Sequence, residues 1–131
     1  LENRQILLQN NYKHGGGKVV TEFCAGIIDD GETPEQAAAR ELQEETGYSA
    51  QEFVLIGKTM ANPTSSPMQY FFVIAKDCKK DLKINWEPAE QIETFVVDSL
   101  KKAEEQMLNG KFLSSSASVA GVSYLRKFLN K

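Results

Sequence analysis

The chain has 131 residues, enough for one small domain with a real hydrophobic core. At 41% apolar and 25% charged residues it fits neither the disordered nor the membrane class, and no run approaches the ~18 apolar residues of a spanning helix. Its net charge of −3 argues against nucleic acid as a partner, because nucleic-acid binders present a basic face.

In chain order, residues 5–9 and 18–25 read as strands separated by a turn at Gly15-Gly16-Gly17. The triple glycine is not a phosphate-cradling loop, since no Gly-Lys-Ser/Thr follows it at the required spacing. His14, the one histidine, lies beside that turn and reads as a solvated loop residue, which disfavours a zinc cluster or a histidine-based triad. A helix is predicted over 34–46. Thr33 is its N-cap, Gln36 completes a capping box, Pro34 takes the first helical position and Gly47 the left-handed position past the end. Residues 53–59 and 69–76 are predicted strands, the second apolar enough to be central and buried on both faces. Between them, residues 62–67 form a loop of turn formers.

Residues 92–97 make a further strand. Asp98 is then expected to cap a helix running to Asn109, with Leu100, Ala103, Met107 and Leu108 as its apolar stripe and Gly110 as its stop. A last helix over 116–130 carries Val119, Val122, Leu125, Phe128 and Leu129 at helical spacing. This order predicts an α/β (α+β) fold, a mixed β-sheet sandwiched between helices, in one domain covering residues 1–131. Cys24 and Cys78 make no disulfide framework, so a reduced, cytoplasmic setting is expected, and Cys24 reads as core within its strand. Because the chain opens on Leu1 rather than Met, with a strand almost at once, the native protein is expected to begin upstream.

The chemistry concentrates in the first helix. At about 100° per residue, Glu41, Glu44 and Glu45 fall within one arc roughly 100° wide. Ala38, Leu42 and Thr46 fall on a neighbouring arc that should face the core, and Ala37 should leave a small, open floor beside the carboxylates. Like charges one turn apart destabilise a helix by roughly 0.2–0.5 kcal/mol. These also sit near the end where the helix dipole disfavours anions. Arg40 can offset Glu44 but cannot neutralise the set. A divalent cation would, and a phosphate-bearing substrate would explain the cation.

Spacing and residue types from Gly26 through Glu32, Arg40, Glu41, Glu44, Glu45 and Gly47 resemble the Nudix box, G-x5-E-x7-R-E-U-x-E-E-x-G-U, where U is aliphatic. Every fixed letter matches; the departure is Tyr48 at the last U. Outside the box, Glu22-Phe23-Cys24-Ala25-Gly26 followed by Ile28-Asp29 is similar to the E-x-P-A-G-x-I-D run of ADP-ribose pyrophosphatases. Pro63 matches that subgroup's marker proline, Glu90 to Glu93 resembles its acidic loop, and Gly110 and residues 118–121 continue the likeness. The chain departs from the subgroup at Asn10 and Lys13, where arginines are usual, and at Cys24, where a proline is.

The resemblance implies an Mg²⁺-dependent hydrolase, with Mn²⁺ as a substitute, acting on a small-molecule nucleotide and not on nucleic acid or membrane. ADP-ribose or an ADP-sugar, split to AMP and a sugar phosphate, is the leading substrate. Another nucleotide sugar, NADH, a nucleoside triphosphate, or a sensing module that binds without cleaving stand as alternatives. By the same likeness Glu41, Glu44, Glu45 and the Ala25 carbonyl would hold metal. Glu44 and Glu45 would serve the chemistry with Glu90 as the base, Glu87 and Glu93 being fallbacks. Glu22, Gly26 and Pro63 would meet substrate, and Glu32 with Arg40 would shape the site. The family also implies a homodimer, although the upstream strands it uses for dimerisation and adenine contact are expected to be missing.

Overall fold

The computed structural model describes residues 5–13, 17–80 and 91–130. Strand β1 (Ile6–Lys13) lies between β2 (Lys18–Glu22) and β7 (Ile92–Val97), antiparallel to both. A parallel bridge from Thr21 to Ser114 makes this sheet mixed. Strands β4 (Glu52–Met60) and β5 (Gln69–Lys76) form an antiparallel pair, and the short β3 (Tyr48–Ser49) and β6 (Lys79–Lys80) form another. The helices are α1 (Pro34–Thr46), α2 (Leu100–Asn109) and α3 (Ser116–Leu129).

Because side chains alternate across a strand, β1 has two characters. Ile6 and Leu8, with Phe95 and Val97 opposite them, point to a core completed by Ala103 and Met107 of α2 and Val122 of α3; Leu8 and Ala103 are wholly buried. Gln9 and Asn11 point the other way, toward α1, and are buried as well. The three-stranded sheet is therefore covered on both faces, as expected. Helices α1 and α3 also pack on the β4–β5 pair. There Tyr124 stacks on Phe72 with centroids 5.0 Å apart and donates to the Lys58 carbonyl. Its ring fills the space over Gly57, where a Cβ would overlap it. Among the described residues no helix is long and apolar enough to cross a membrane.

Several boundaries differ from the sequence reading, for local reasons. β1 runs on to Lys13 because its polar end keeps pairing, Lys13 opposite Lys18. β2 stops at Glu22 rather than at residue 25, since the Phe23 N–H leaves the ladder and donates to Ser118 Oγ at 3.0 Å. Ser99, not Asp98, caps α2: its hydroxyl accepts from the Lys102 N–H, while Asp98 is exposed and pairs with the Lys102 ammonium. β5 is half-buried rather than enclosed on both faces, and among the described residues it pairs with β4 alone. An apolar run by itself does not fix how many neighbours a strand has. Leu108 and Val119 of the expected stripes are exposed.

The core assignment makes a contrast that mutagenesis can read. Leu8→Ala, at 0% exposure, should cost about 2–5 kcal/mol of unfolding free energy in a urea titration. Leu108→Ala, at 61% exposure, should stay within about 0.5 kcal/mol of the parent.

Candidate active site

Helix α1 begins and ends as its sequence dictates. Thr33 Oγ1 accepts from the Gln36 N–H at 3.1 Å, and Gln36 Oε1 accepts from the Thr33 N–H at 2.9 Å. Gly47 closes the helix at φ 75°, its N–H donating to the Gln43 carbonyl. The loop from Phe23 to Thr33 enters this helix and carries Ala25, Gly26 and Glu32. Within it, the Asp29 N–H donates to Glu32 Oε1 and the Glu32 N–H to the Asp29 carbonyl, a turn that uses Gly31 at φ 85°.

Arg40 ties loop to helix. Its Nε and Nη2 hold the two oxygens of Glu32 at 2.8 and 2.9 Å, and Nη2 also donates to the Ile27 carbonyl at 2.8 Å. Nη1 donates to Glu41 Oε1 at 2.6 Å and to Glu44 Oε1 at 3.3 Å. The guanidinium thus spends its whole fork on four groups, which a lysine ammonium could not do. The Arg40 hydrogen bonds, together with the Asp29 N–H, pull the Glu32 carboxyl down from 4.5 to about 2. Glu32 and Glu41 in turn push the Arg40 guanidinium to an even weaker acidity.

Glu41 and Glu45 lie one turn apart on α1. Burial raises the Glu41 carboxyl above its ordinary value, and Arg40 opposes that shift. Glu41 also lies directly against the loop: a Cβ at Gly26 would overlap its carboxyl group. Glu45 is 4% exposed and turns toward the sheet, where its Oε1 accepts from Gln9 Nε2 at 3.2 Å and from Cys24 Sγ at 3.2 Å. Burial, and then the Glu45 charge, push the Cys24 thiol well up, so it is no nucleophile.

Glu22 joins the same patch from β2. Its Oε2 accepts from Gln9 Nε2 at 2.9 Å, Lys13 Nζ at 3.1 Å and Asn11 Nδ2 at 3.2 Å, and the residue is 3% exposed.

The structure therefore gathers Glu22, Gly26, Glu32, Arg40, Glu41, Glu44 and Glu45 around one end of α1, with Ala25 next in the chain to Gly26. Pro63 does not join them; it lies in the exposed turn where the Asn62 carbonyl accepts from Ser65 and Ser66. Glu90, like Glu87 and His14, lies outside the described residues. Glu93 stands opposite Asn10 and so points away from the α1 side of the sheet, into a cleft of about 420 Å³ with Tyr12, Val19 and Phe112. That face is wrong for a base serving Glu45.

One expectation is corrected. Ala37 is buried rather than forming an open floor, because the core-facing arc of α1 extends to it. Among the described residues no three acidic, histidine or cysteine side chains form a ready metal cage. Arg40 stands between Glu41 and Glu44, and Glu45 is drawn to Gln9. Helical periodicity places Cα atoms on an arc; the rotamers follow from neighbours that spacing does not show. Gln9, Asn11 and Cys24 were missed as site residues for that reason. The available signal was Gln9, Asn11 and Lys13 at alternate positions, a polar face on a strand that opens apolar.

A buried Glu45 and a half-buried Glu41 one turn apart on the same helix face call for a proton or a cation to offset their charge. The donors are hard oxygens, which suits Mg²⁺, an ion that keeps several waters and uses one or two carboxylates with substrate phosphates rather than a full protein cage. The residues present therefore fit a divalent ion.

The NUDIX domain model matches residues 1–115. An ADP-sugar pyrophosphatase from Mus musculus is 45% identical over 51 residues, which is 39% of this chain and 23% of that protein. An ADP-ribose pyrophosphatase from Saccharomyces cerevisiae is 34% identical over 89 residues, 68% of this chain and 38% of that protein. The chain thus spans well under half the length of these relatives. A solved structure described as an ADP compounds hydrolase superposes with TM-score 0.78 over 95% of this chain and 66% of that one, at 23% identity, which shows a shared fold.

The Glu32 carboxyl supplies a pH test. Its depressed value means that its contribution to stability is complete above the unfolded value of 4.5 and is lost as the pH falls to about 2. A side-chain carbonyl NMR titration should place the Glu32 midpoint near 2, and a midpoint above 4 would contradict the Arg40 clamp.

Proposed function

The chain belongs to the Nudix family, and from that premise we propose that it hydrolyses the pyrophosphate bond of ADP-ribose or an ADP-sugar to AMP and a sugar phosphate. Mg²⁺ is the proposed ion, Mn²⁺ its substitute, and the cytoplasm the proposed setting. The observation that carries this reading is the gathering of the box acids at one place: Glu45 is buried, Glu41 is half-buried against Gly26, and Glu44 shares Arg40 with Glu41. A solvated acidic face would leave its charges in water; this one draws two of them out of it. An ADP-linked substrate is supported by the names of the mouse and yeast relatives and by the Glu22-to-Asp29 run.

When bound, a divalent ion neutralises the pyrophosphate oxygens and acidifies a water. The residues of this chain do the rest. Glu41 and Glu45 hold the ion, with Glu44 and the Ala25 carbonyl completing the proposed donor set. Arg40 and Glu32 keep the loop pressed on the helix, so that Gly26, lacking a Cβ, leaves room for the Glu41 carboxyl. Glu22 and Pro63 are proposed substrate contacts, Glu22 through its place beside Glu45 and Pro63 through its place in an exposed turn. Carboxylates bound to metal are poor proton acceptors, so the base is assigned to a glutamate outside α1, and Glu90 is the proposed one.

Two experiments test this. Turnover of ADP-ribose should vanish in EDTA and return with Mg²⁺ or Mn²⁺, and Glu45→Gln should lower kcat by orders of magnitude while keeping its helicity. Full activity in chelator, or a Glu45→Gln variant within a few-fold of the parent, would overturn the assignment. Glu90→Gln should lower kcat by roughly 10²–10⁴ with Mn²⁺ affinity little changed. If it is fully active while Glu87→Gln is dead, the base is Glu87.

A further inference from the structure

Gln9 lies at the centre of the buried patch and has no part in the activity as described so far. It is 1% exposed, and its single amide nitrogen donates to two carboxylates that come from different elements: Glu22 Oε2 of β2 at 2.9 Å and Glu45 Oε1 of α1 at 3.2 Å. Turning the amide over would set its oxygen against both acids, so the orientation is forced. The consequence is visible at the other end: Gln9 Oε1 is buried and has no hydrogen-bond partner among the described residues. Leaving a buried carbonyl unsatisfied is costly, and a well-packed apolar residue would avoid the cost altogether. The return lies in the two charge-assisted bonds on the nitrogen side.

Those bonds differ in what they fix. Glu22 has two other donors on the same oxygen, Asn11 and Lys13, and stays anchored without Gln9. Glu45 Oε1 accepts from Gln9 and from the weak thiol donor of Cys24. The other member of the pair, Glu41, is held through its own Oε1 by Arg40 at 2.6 Å. Each carboxylate is thus gripped by one oxygen from its own side, Glu41 by Arg40 and Glu45 from the sheet.

The geometry points to Gln9 as a positioning residue: it orients Glu45 from the floor of the sheet so that Glu41 and Glu45 present a preformed pair to the divalent ion. This rests on the reading of Glu41 and Glu45 as metal ligands. Groups that orient a metal-binding carboxylate typically change metal affinity by 10–100-fold when removed.

The test is Mn²⁺ binding to the full chain, followed by electron paramagnetic resonance, for the parent and for Gln9→Met, Thr21→Val and Glu45→Gln. Gln9→Met keeps the length and removes both donors; its Mn²⁺ affinity should fall by about tenfold or more. Thr21→Val removes a buried hydroxyl that donates to Asn10 on the face of the sheet away from α1 and should stay within about twofold, which separates positioning from general loss of polar packing. Melting in chelator reports the structural cost of each substitution independently. Glu45→Gln should bind Mn²⁺ far more weakly than the parent. Gln9→Met within twofold of the parent, while Glu45→Gln is impaired, would overturn the role of Gln9 and leave the metal site standing. Parent-like binding by Glu45→Gln would overturn the site and this inference with it. If Gln9→Met does not fold, the side-chain amide of Gln9 decides: its NMR signals should shift on saturation of the parent protein with Mg²⁺, and signals that do not move would overturn the proposal.

Discussion

Glu41, Glu44 and Glu45 occupy the last turns of one helix, where both mutual repulsion and the helix dipole work against them. Everything around the site can be understood as the means of making that concentration of charge tolerable. Arg40 is the largest of these. It neutralises Glu41 and Glu44 from within the helix and, through Glu32 and the Ile27 carbonyl, fastens the incoming loop to the same place. One side chain thereby sets both the electrostatics and the loop position, and the absence of a Cβ at Gly26 lets the loop come close enough for this to work.

The sheet supplies the opposite wall. β1 carries an apolar face for the α2–α3 core and a polar face for α1, and this division follows from strict alternation along one strand. A one-residue slip in its pairing with β2 would exchange the two faces and put Gln9 into the hydrophobic core. The register Gln9 opposite Glu22 is therefore a functional constraint as much as a structural one. The apolar side makes the slip expensive, since it would drive Leu8 out of its wholly buried position. Core packing holds the register, and the register holds the carboxylates.

Helix α1 was legible in the sequence from end to end, because its capping box and left-handed glycine are local signals that need no partner. β7 and the span of β5 were equally clear. What sequence did not reveal lies where distant segments decide: β2 ends early because Ser118 captures the Phe23 N–H, a bond across 95 residues of chain. Asp98 and Ser99 are both good caps, and only the hydroxyl of Ser99 meets the Lys102 N–H. In the site, the identity of the acids was readable from their spacing, but their orientation was not. Gln9 had no motif to mark it, and Cys24 stood out only as a departure from the Glu22-to-Asp29 run, yet both donate to Glu45.

The most direct measurement is a crystal structure of the full chain grown with Mn²⁺, with the ion located by its anomalous scattering. The account requires a peak between the Glu41 and Glu45 carboxylates beside the 25–26 loop, with Arg40 still paired to Glu32 and Gln9 still donating to Glu45. A peak only elsewhere on the chain, or a saturated crystal with Glu41 and Glu45 free of metal, would contradict it.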